Sequence, residues 1–209
     1  MCQLPSSTRA AEDRYRSEHD TSANTQPKLV LIDTPGHGKL RHHALSSLTT
    51  PASLKGLVFV VDSAALSSAA GLTETAEYLH DVLLLLQKRH TQSKTSKDAL
   101  SIPVLLAANK QDVFTSLPSS LVKSTLEGEI AKIRRTRSKG LLDSGVGMED
   151  STDADESNNW LGEYGADTFN FSEMEEHGVE VTILGGSLKG GSDRSSTVDE
   201  WWTWLGDRI

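Results

Sequence analysis

The sequence predicts an α/β protein with a mainly parallel sheet covered on both faces. Three observations carry that expectation. Short uncharged runs of Val, Ile and Leu recur along the chain, as strands buried on both faces require. Stretches with apolar residues at helical spacing separate the runs. Two of the runs end in polar turns, Asp33-Thr34-Pro35-Gly36 and Asn109-Lys110-Gln111-Asp112, at the strand ends where such folds place ligand groups.

Taken in order, residues 1–26 are polar and rich in Ser, Thr and charge. They read as a mostly disordered N-terminal segment with a short edge strand near Tyr15-Arg16. Residues 27–209 form the domain. Lys28–Asp33 is a buried strand ended by a Pro-Gly turn. Leu40–Leu54 has partly helical spacing, and Pro51 breaks it. Leu57–Asp62 is a second buried strand. Thr73–Arg89 is an amphipathic helix with Ala76, Leu79, Val82, Leu83 and Leu86 on its apolar side. Ile102–Ala108 is a third strand, and Leu121–Arg137 a helix carrying Leu126, Ile130 and Ile133. Val179–Leu184 is a fourth strand. Thr197–Ile209 closes the chain as a helix with Val198, Trp202, Leu205 and Ile209 on one stripe.

One segment departs from this pattern. From Gly140 to Leu188 there is no Lys or Arg, and Asp143, Glu149, Asp150, Asp153, Asp155 and Glu156 crowd together. Residues 140–168 read as a disordered acidic insertion. Just before it stands a basic cluster, Lys132, Arg134, Arg135, Arg137 and Lys139. A solvated helix end that suits the helix dipole explains it; a contact to ribosomal RNA or acidic lipid is the sharper reading.

Composition excludes several classes. A net charge of −8 argues against general nucleic-acid binding, DNA included. Cys2 is the single cysteine, so there is no disulfide framework. The first residues hold no apolar core of a signal peptide, and no apolar run approaches the ~20 residues that cross a bilayer.

The chemistry concentrates in the turns. Asp112 is an acceptor-only carboxylate that can take two donors from guanine, a pair that adenine does not offer. The Lys110 stem can lie over the purine, and Asn109 can tie its loop to the rest of the site. Asp33 ends a strand where a carboxylate can hold Mg²⁺ through water. Gly36 can present its N–H to a γ-phosphate, and His37 stands where an attacking water would be oriented. Ser187-Leu188-Lys189-Gly190 follows the fourth strand. The backbone N–H of that turn can reach the guanine oxygen, and Lys189 can cover the other face of the base. The phosphate-cradling pattern G-x-x-x-x-G-K-[ST] does not occur: Gly38-Lys39 is followed by Leu40, and Asp33 stands where the first glycine belongs. Adjacent His42 and His43 show no metal-ligand spacing, and Trp201, Trp202 and Trp204 read as packing residues.

Together these stretches resemble one family, the beta subunit of the signal recognition particle receptor. The resemblance rests on Tyr15-Arg16, DTPGHGKLR at 33–41, LVFVVDSAAL at 57–66, NKQD at 109–112, KIRRTRSK at 132–139, Phe169-Asn170-Phe171-Ser172 and the Trp-rich C-terminal helix. It covers about residues 14–209. It implies a Ras/Arf-like P-loop GTPase fold that lacks its first strand and phosphate loop, with GTP and Mg²⁺ as cofactors. It implies a GTP-dependent complex with the receptor's alpha subunit, which docks the particle and its ribosome at the cytosolic face of the endoplasmic reticulum membrane. The family's transmembrane helix has no match in these residues, and the chain reads as N-terminally truncated. In the implied strand order, 2-3-1-4-5-6, the unmatched strand is central, so its neighbours are left with open backbone edges. A translation-factor-like GTPase fragment and a non-functional truncated copy unable to bind GTP remain as alternatives.

Overall fold

A computed structural model describes residues 2–3, 28–49, 54–93, 101–143, 160–189 and 198–208. Its centre is a three-stranded parallel sheet of β3 (Leu57–Asp62), β4 (Ile102–Asn109) and β5 (Val179–Gly185), in the order β3-β4-β5. The register runs from Leu57 opposite Val104 to Asp62 opposite Asn109, and from Ile102 opposite Val179 to Ala108 opposite Gly185. The carboxyl ends of β3 and β4 therefore lie side by side, and the turns that follow them meet at one end of the sheet. Two short strands, β1 (Cys2–Gln3) and β2 (Lys28–Leu29), pair antiparallel apart from it.

β4 is the apolar run expected of a strand covered on both faces, with Val104 to Ala108 fully buried. Because side chains alternate along a strand, Val104, Leu106 and Ala108 enter one core and Leu105 and Ala107 the other. The first core is filled by Ala76, Leu79, Leu83 and Leu86 of α2 (Ala69–Ser93) and by Val122, Leu126 and Ile130 of α3 (Ser119–Asp143). α1 (Arg41–Thr49) adds Leu48 to it. The opposite face is covered by α4 (Asp199–Gly206) through Trp201 and Trp204. The expected stripe on this last helix is thus corrected. Trp201 takes the buried face because its indole N–H reaches the Leu184 carbonyl at 3.3 Å. Val198 and Leu205 pack beside it, and Trp202 is half-buried.

The strand expected over Lys28–Asp33 is the main departure. Pairing stops at Leu29, and Val30, Leu31 and Ile32 are 69%, 58% and 66% exposed. The composition is that of a buried strand, but strand formation needs a neighbour, and no described strand lies beside these residues. The expected edge strand at Tyr15-Arg16 lies outside the described residues, as do Pro51 and Ile209.

The acidic segment is also narrower than its composition suggests. Residues 140–143 continue α3, 144–159 lie outside the described residues, and 160–168 pack on the core. Leu161 is fully buried in the first core. Gln87 of α2 binds this loop twice, donating from Nε2 to the Trp160 carbonyl at 2.9 Å and accepting from the Gly162 N–H at 2.8 Å. Arg134, 2% exposed, donates to the carbonyls of Ala166 (2.8 Å), Glu163 (3.2 Å) and Thr168 (3.3 Å). Its guanidinium lies 4.6 Å from the Trp160 ring centre and 5.5 Å from that of Phe169. Burial lowers its pKa from the usual arginine value, opposed chiefly by the Glu173 carboxylate.

The basic cluster divides: Arg134 turns inward, while Lys132, Arg135 and Arg137 stay exposed, as a solvated helix end expects. Arg135 donates to the Asp167 carbonyl at 2.7 Å, Arg137 to the Asp81 carboxylate at 2.6 Å, and Lys132 to Glu129 at 3.0 Å. Arg134 and these three side chains each have a partner within the fold, and Arg134 alone among them is buried. Downstream, Gly178 closes a 3-10 turn (Phe171–His177) in the left-handed region at φ +69°. Its carbonyl accepts the Ile102 N–H at 2.9 Å, which joins that turn to the start of β4.

Candidate functional site

Three loops converge at the carboxyl end of the sheet. The first is Asn109–Asp112, directly after β4. Lys110 takes φ +67°, a left-handed conformation rare for a residue with a Cβ. The Asn109 side chain holds that turn: its Oδ1 accepts the Lys110 N–H at 2.8 Å and the Leu188 N–H at 3.2 Å. Asn109 thus ties its own loop to the second loop, Gly186–Lys189, which follows β5. Backbone bonds repeat the tie, from Gly186 N–H to the Ala108 carbonyl at 2.9 Å and from Gln111 N–H to the Gly186 carbonyl at 3.1 Å. The Ser187 hydroxyl donates a short bond to the Asp112 carboxylate.

The third loop follows β3 and lies in the 57–66 stretch that carries the resemblance, though no site role was expected of it. Asp62 Oδ1 accepts the N–H groups of Ala64 (3.0 Å) and Ala65 (3.2 Å), while Oδ2 pairs with the Lys110 ammonium at 2.6 Å. Buried Ser63 donates its N–H to the Asn109 carbonyl at 3.2 Å and accepts from Gln111 Nε2 at 3.0 Å on its hydroxyl. Gln111 also donates to the Leu117 carbonyl at 2.8 Å. A signal for these residues existed. Asp62 ends an apolar strand, as Asp33 does, and strand ends were already the places to look.

The electrostatics follow from these contacts. Burial would raise the Asp62 pKa, but Lys110 and the two backbone N–H groups outweigh it and the net shift is downward. Asp112 is also lowered, first by the Ser187 hydroxyl, with burial opposing and with Lys189 and Lys110 adding to the lowering. Both carboxylates are ionised at neutral pH. Asp112 therefore offers only acceptors, as two-donor recognition of a base edge requires.

Asn109, Lys110, Asp112, Ser187 and Leu188 are thus brought together, and Lys189 extends from the same loop. The Leu188 N–H, expected to reach a guanine oxygen, already donates to Asn109 and would have to be shared. Asp33, Gly36 and His37 stand apart from these bonds on an exposed stretch. His37 Nδ1 accepts the Lys39 N–H at 3.4 Å and so caps the short turn Gly38–Leu40. Arg41 Nε donates to the Gly36 carbonyl at 3.3 Å. No group of three or more His, Cys, Asp or Glu able to hold a metal ion occurs among the described residues. Asp33 is an exposed carboxylate that belongs to no such group. No described helix is long and apolar enough to cross a membrane.

The comparisons agree with one another. The family model described as "Signal recognition particle receptor beta subunit" matches residues 5–179. The signal recognition particle receptor subunit beta of Saccharomyces cerevisiae is 31% identical over 182 residues, which is 87% of this chain and 66% of that relative. The chain thus spans just under two thirds of that protein's length. Among solved structures, the Chaetomium thermophilum receptor protein SRb with GDP and Mg superposes with a TM-score of 0.70 at 44% identity, covering 86% of this chain and 80% of that one. SRb in a GTP/SRX complex from the same organism gives 0.72 at 41%, covering 90% and 70%.

Proposed function

The chain belongs to the signal recognition particle receptor beta subunit family, and from that premise we propose that it reads guanine nucleotides for a receptor assembly. In this reading the nucleotide-bound state supports binding of the receptor's alpha subunit at the cytosolic face of the endoplasmic reticulum membrane, in cotranslational protein targeting. The observation that carries the proposal is the interlock of the 109–112 and 186–189 loops through Asn109 and the Ser187–Asp112 bond.

The chemistry assigned to each residue is specific. Asp112, ionised and exposed, accepts two donors from the Watson–Crick edge of guanine. Lys110 lays its stem over the purine while Asp62 holds its ammonium. Asn109 fixes the distance between the loops. Lys189 covers the opposite face of the base, and the N–H of Leu188 supports the guanine oxygen. GTP is the ligand class. On the phosphate side this sequence offers no G-x-x-x-x-G-K-[ST]. Most affinity in such sites comes from N–H groups and a Lys around the β-phosphate. This chain is therefore expected to select guanine weakly, well above the micromolar range, with Asp33, Gly36 and His37 contributing little. Hydrolysis is not assigned to it.

Amide-resolved NMR titration of the chain with GDP and with ADP tests this reading. GDP should move the resonances of residues 109–112 and 187–189, and ADP should not. Equal responses to both nucleotides, or none to GDP at millimolar concentration, would overturn the base-reading assignment.

A further inference from the structure

The turn after β4 alternates. Lys110 and Asp112 are exposed, and Gln111 between them is half-buried. The Gln111 side chain reaches back into the fold. Its Nε2 donates to the hydroxyl of buried Ser63 at 3.0 Å and to the Leu117 carbonyl at 2.8 Å. Both hydrogens of the amide are thereby used. The Gln111 backbone N–H donates to the Gly186 carbonyl at 3.1 Å. One residue thus joins the loop after β3, the loop after β5 and the entry to α3. Its stem is seated as well: a Cβ on Gly185 would meet Gln111 Cγ at 3.4 Å.

The two acceptors are themselves fixed. The Ser63 carbonyl accepts the Leu117 N–H at 3.1 Å, and the Ser63 N–H donates to the Asn109 carbonyl at 3.2 Å. Few side chains could complete this arrangement. It calls for two hydrogens on one terminal atom at a set reach. A glutamate has the length, but as a carboxylate it only accepts and would face the Leu117 carbonyl. An asparagine has the amide and is one methylene short. A methionine fills the space and donates nothing of use. The consequence falls on the next residue. To take two donors from a base edge, the Asp112 carboxylate must keep its place beside Ser187, its partner on the other loop.

We propose that Gln111 is the positioning residue of the base-reading turn: its amide, held by Ser63 and Leu117, keeps Asp112 aligned with Ser187. The role rests on the guanine reading assigned to Asp112. Gln111 itself points away from the base.

Carboxyl-carbon NMR of Asp112 across a pH series, on the full chain without nucleotide, tests the proposal. The Ser187 hydroxyl holds this carboxyl below its ordinary range, and loss of that alignment should raise it. Gln111→Met keeps the stem, loses the donors and should move the titration upward. Ser63→Ala removes one of the two acceptors and should move it the same way by less. Leu161→Ala weakens the core far from the turn and should leave it unchanged. An Asp112 titration unmoved in both turn variants, or moved equally by Leu161→Ala, would overturn the proposal. With nucleotide added, the initial slope of the GDP response in Gln111→Met should fall at least about fivefold, with the ADP response as in the parent. A GDP response equal to the parent's would also overturn it. A parent that answers GDP and ADP alike would instead overturn the guanine reading, and the nucleotide-free titration still decides whether Gln111 places Asp112.

Discussion

Replacing Arg134 by Ala should loosen the loop that composition marks as part of a disordered insertion. The magnitude follows from the contacts. Arg134 donates to three carbonyls of residues 163–168, and net contributions of about 1 kcal/mol each give roughly 3 kcal/mol. Its stacking on Trp160 and Phe169 adds about 1 kcal/mol. Against this, the substitution removes a buried guanidinium whose desolvation costs about 1–2 kcal/mol. The net loss is about 2–3 kcal/mol. For a chain of this size that is a fall in Tm of roughly 5–10 °C. Urea unfolding followed by Trp fluorescence measures it. Amide exchange at Gly162, whose N–H is held by Gln87, reports whether the loop opens before the domain does. Arg134→Lys keeps the charge, but one ammonium does not span three carbonyls, so it should recover less than half of the loss. A change below about 0.5 kcal/mol for Arg134→Ala, or full recovery by Lys, would refute the account.

Leu161→Ala should cost about 2–5 kcal/mol, because the side chain is fully buried in the first core; a urea midpoint close to that of the parent would count against the core placement. Gly178→Ala should cost more than about 1 kcal/mol, since φ is +69° and the added Cβ would run into the His90 ring; a thermal melt reads it, and an unchanged midpoint would contradict the geometry. Asp62→Asn should cost less than about 1 kcal/mol near neutral pH, since both members of the Lys110 pair are well exposed, 52% and 39%. The folded-state pKa of Asp62 is depressed, so its stabilising effect is full above the unfolded value near about 3.9 and is lost as pH falls through the folded one. Stability curves of parent and variant should therefore converge on acidification; divergence would reverse the sign assigned to the pair.

Much of this protein was legible in its residues. The runs at 57–62, 102–109 and 179–185 became the three parallel strands, because an apolar run bounded by turn residues is stable only where both faces are covered. The helices at 69–93 and 119–143 followed from apolar spacing, although each extends several residues beyond that stripe. Asn109, Lys110, Asp112 and the Ser187-Leu188 turn were expected to share one site, and hydrogen bonds between their loops bring them together.

Tertiary structure alone decided the rest. Residues 30–32 have strand composition, yet pairing depends on which backbone lies alongside, and here they face solvent. Arg134 looks like its basic neighbours in the sequence, but its position on α3 turns it inward under a loop whose carbonyls meet it. Leu161 sits in an acidic, glycine-rich context and is nonetheless core. Asp62 and Ser63 joined the candidate site because parallel pairing sets Asp62 opposite Asn109. Local composition determines which residues can form a strand, a helix or a base-reading turn. Which of them are satisfied depends on neighbours distant in sequence, and only the fold supplies those.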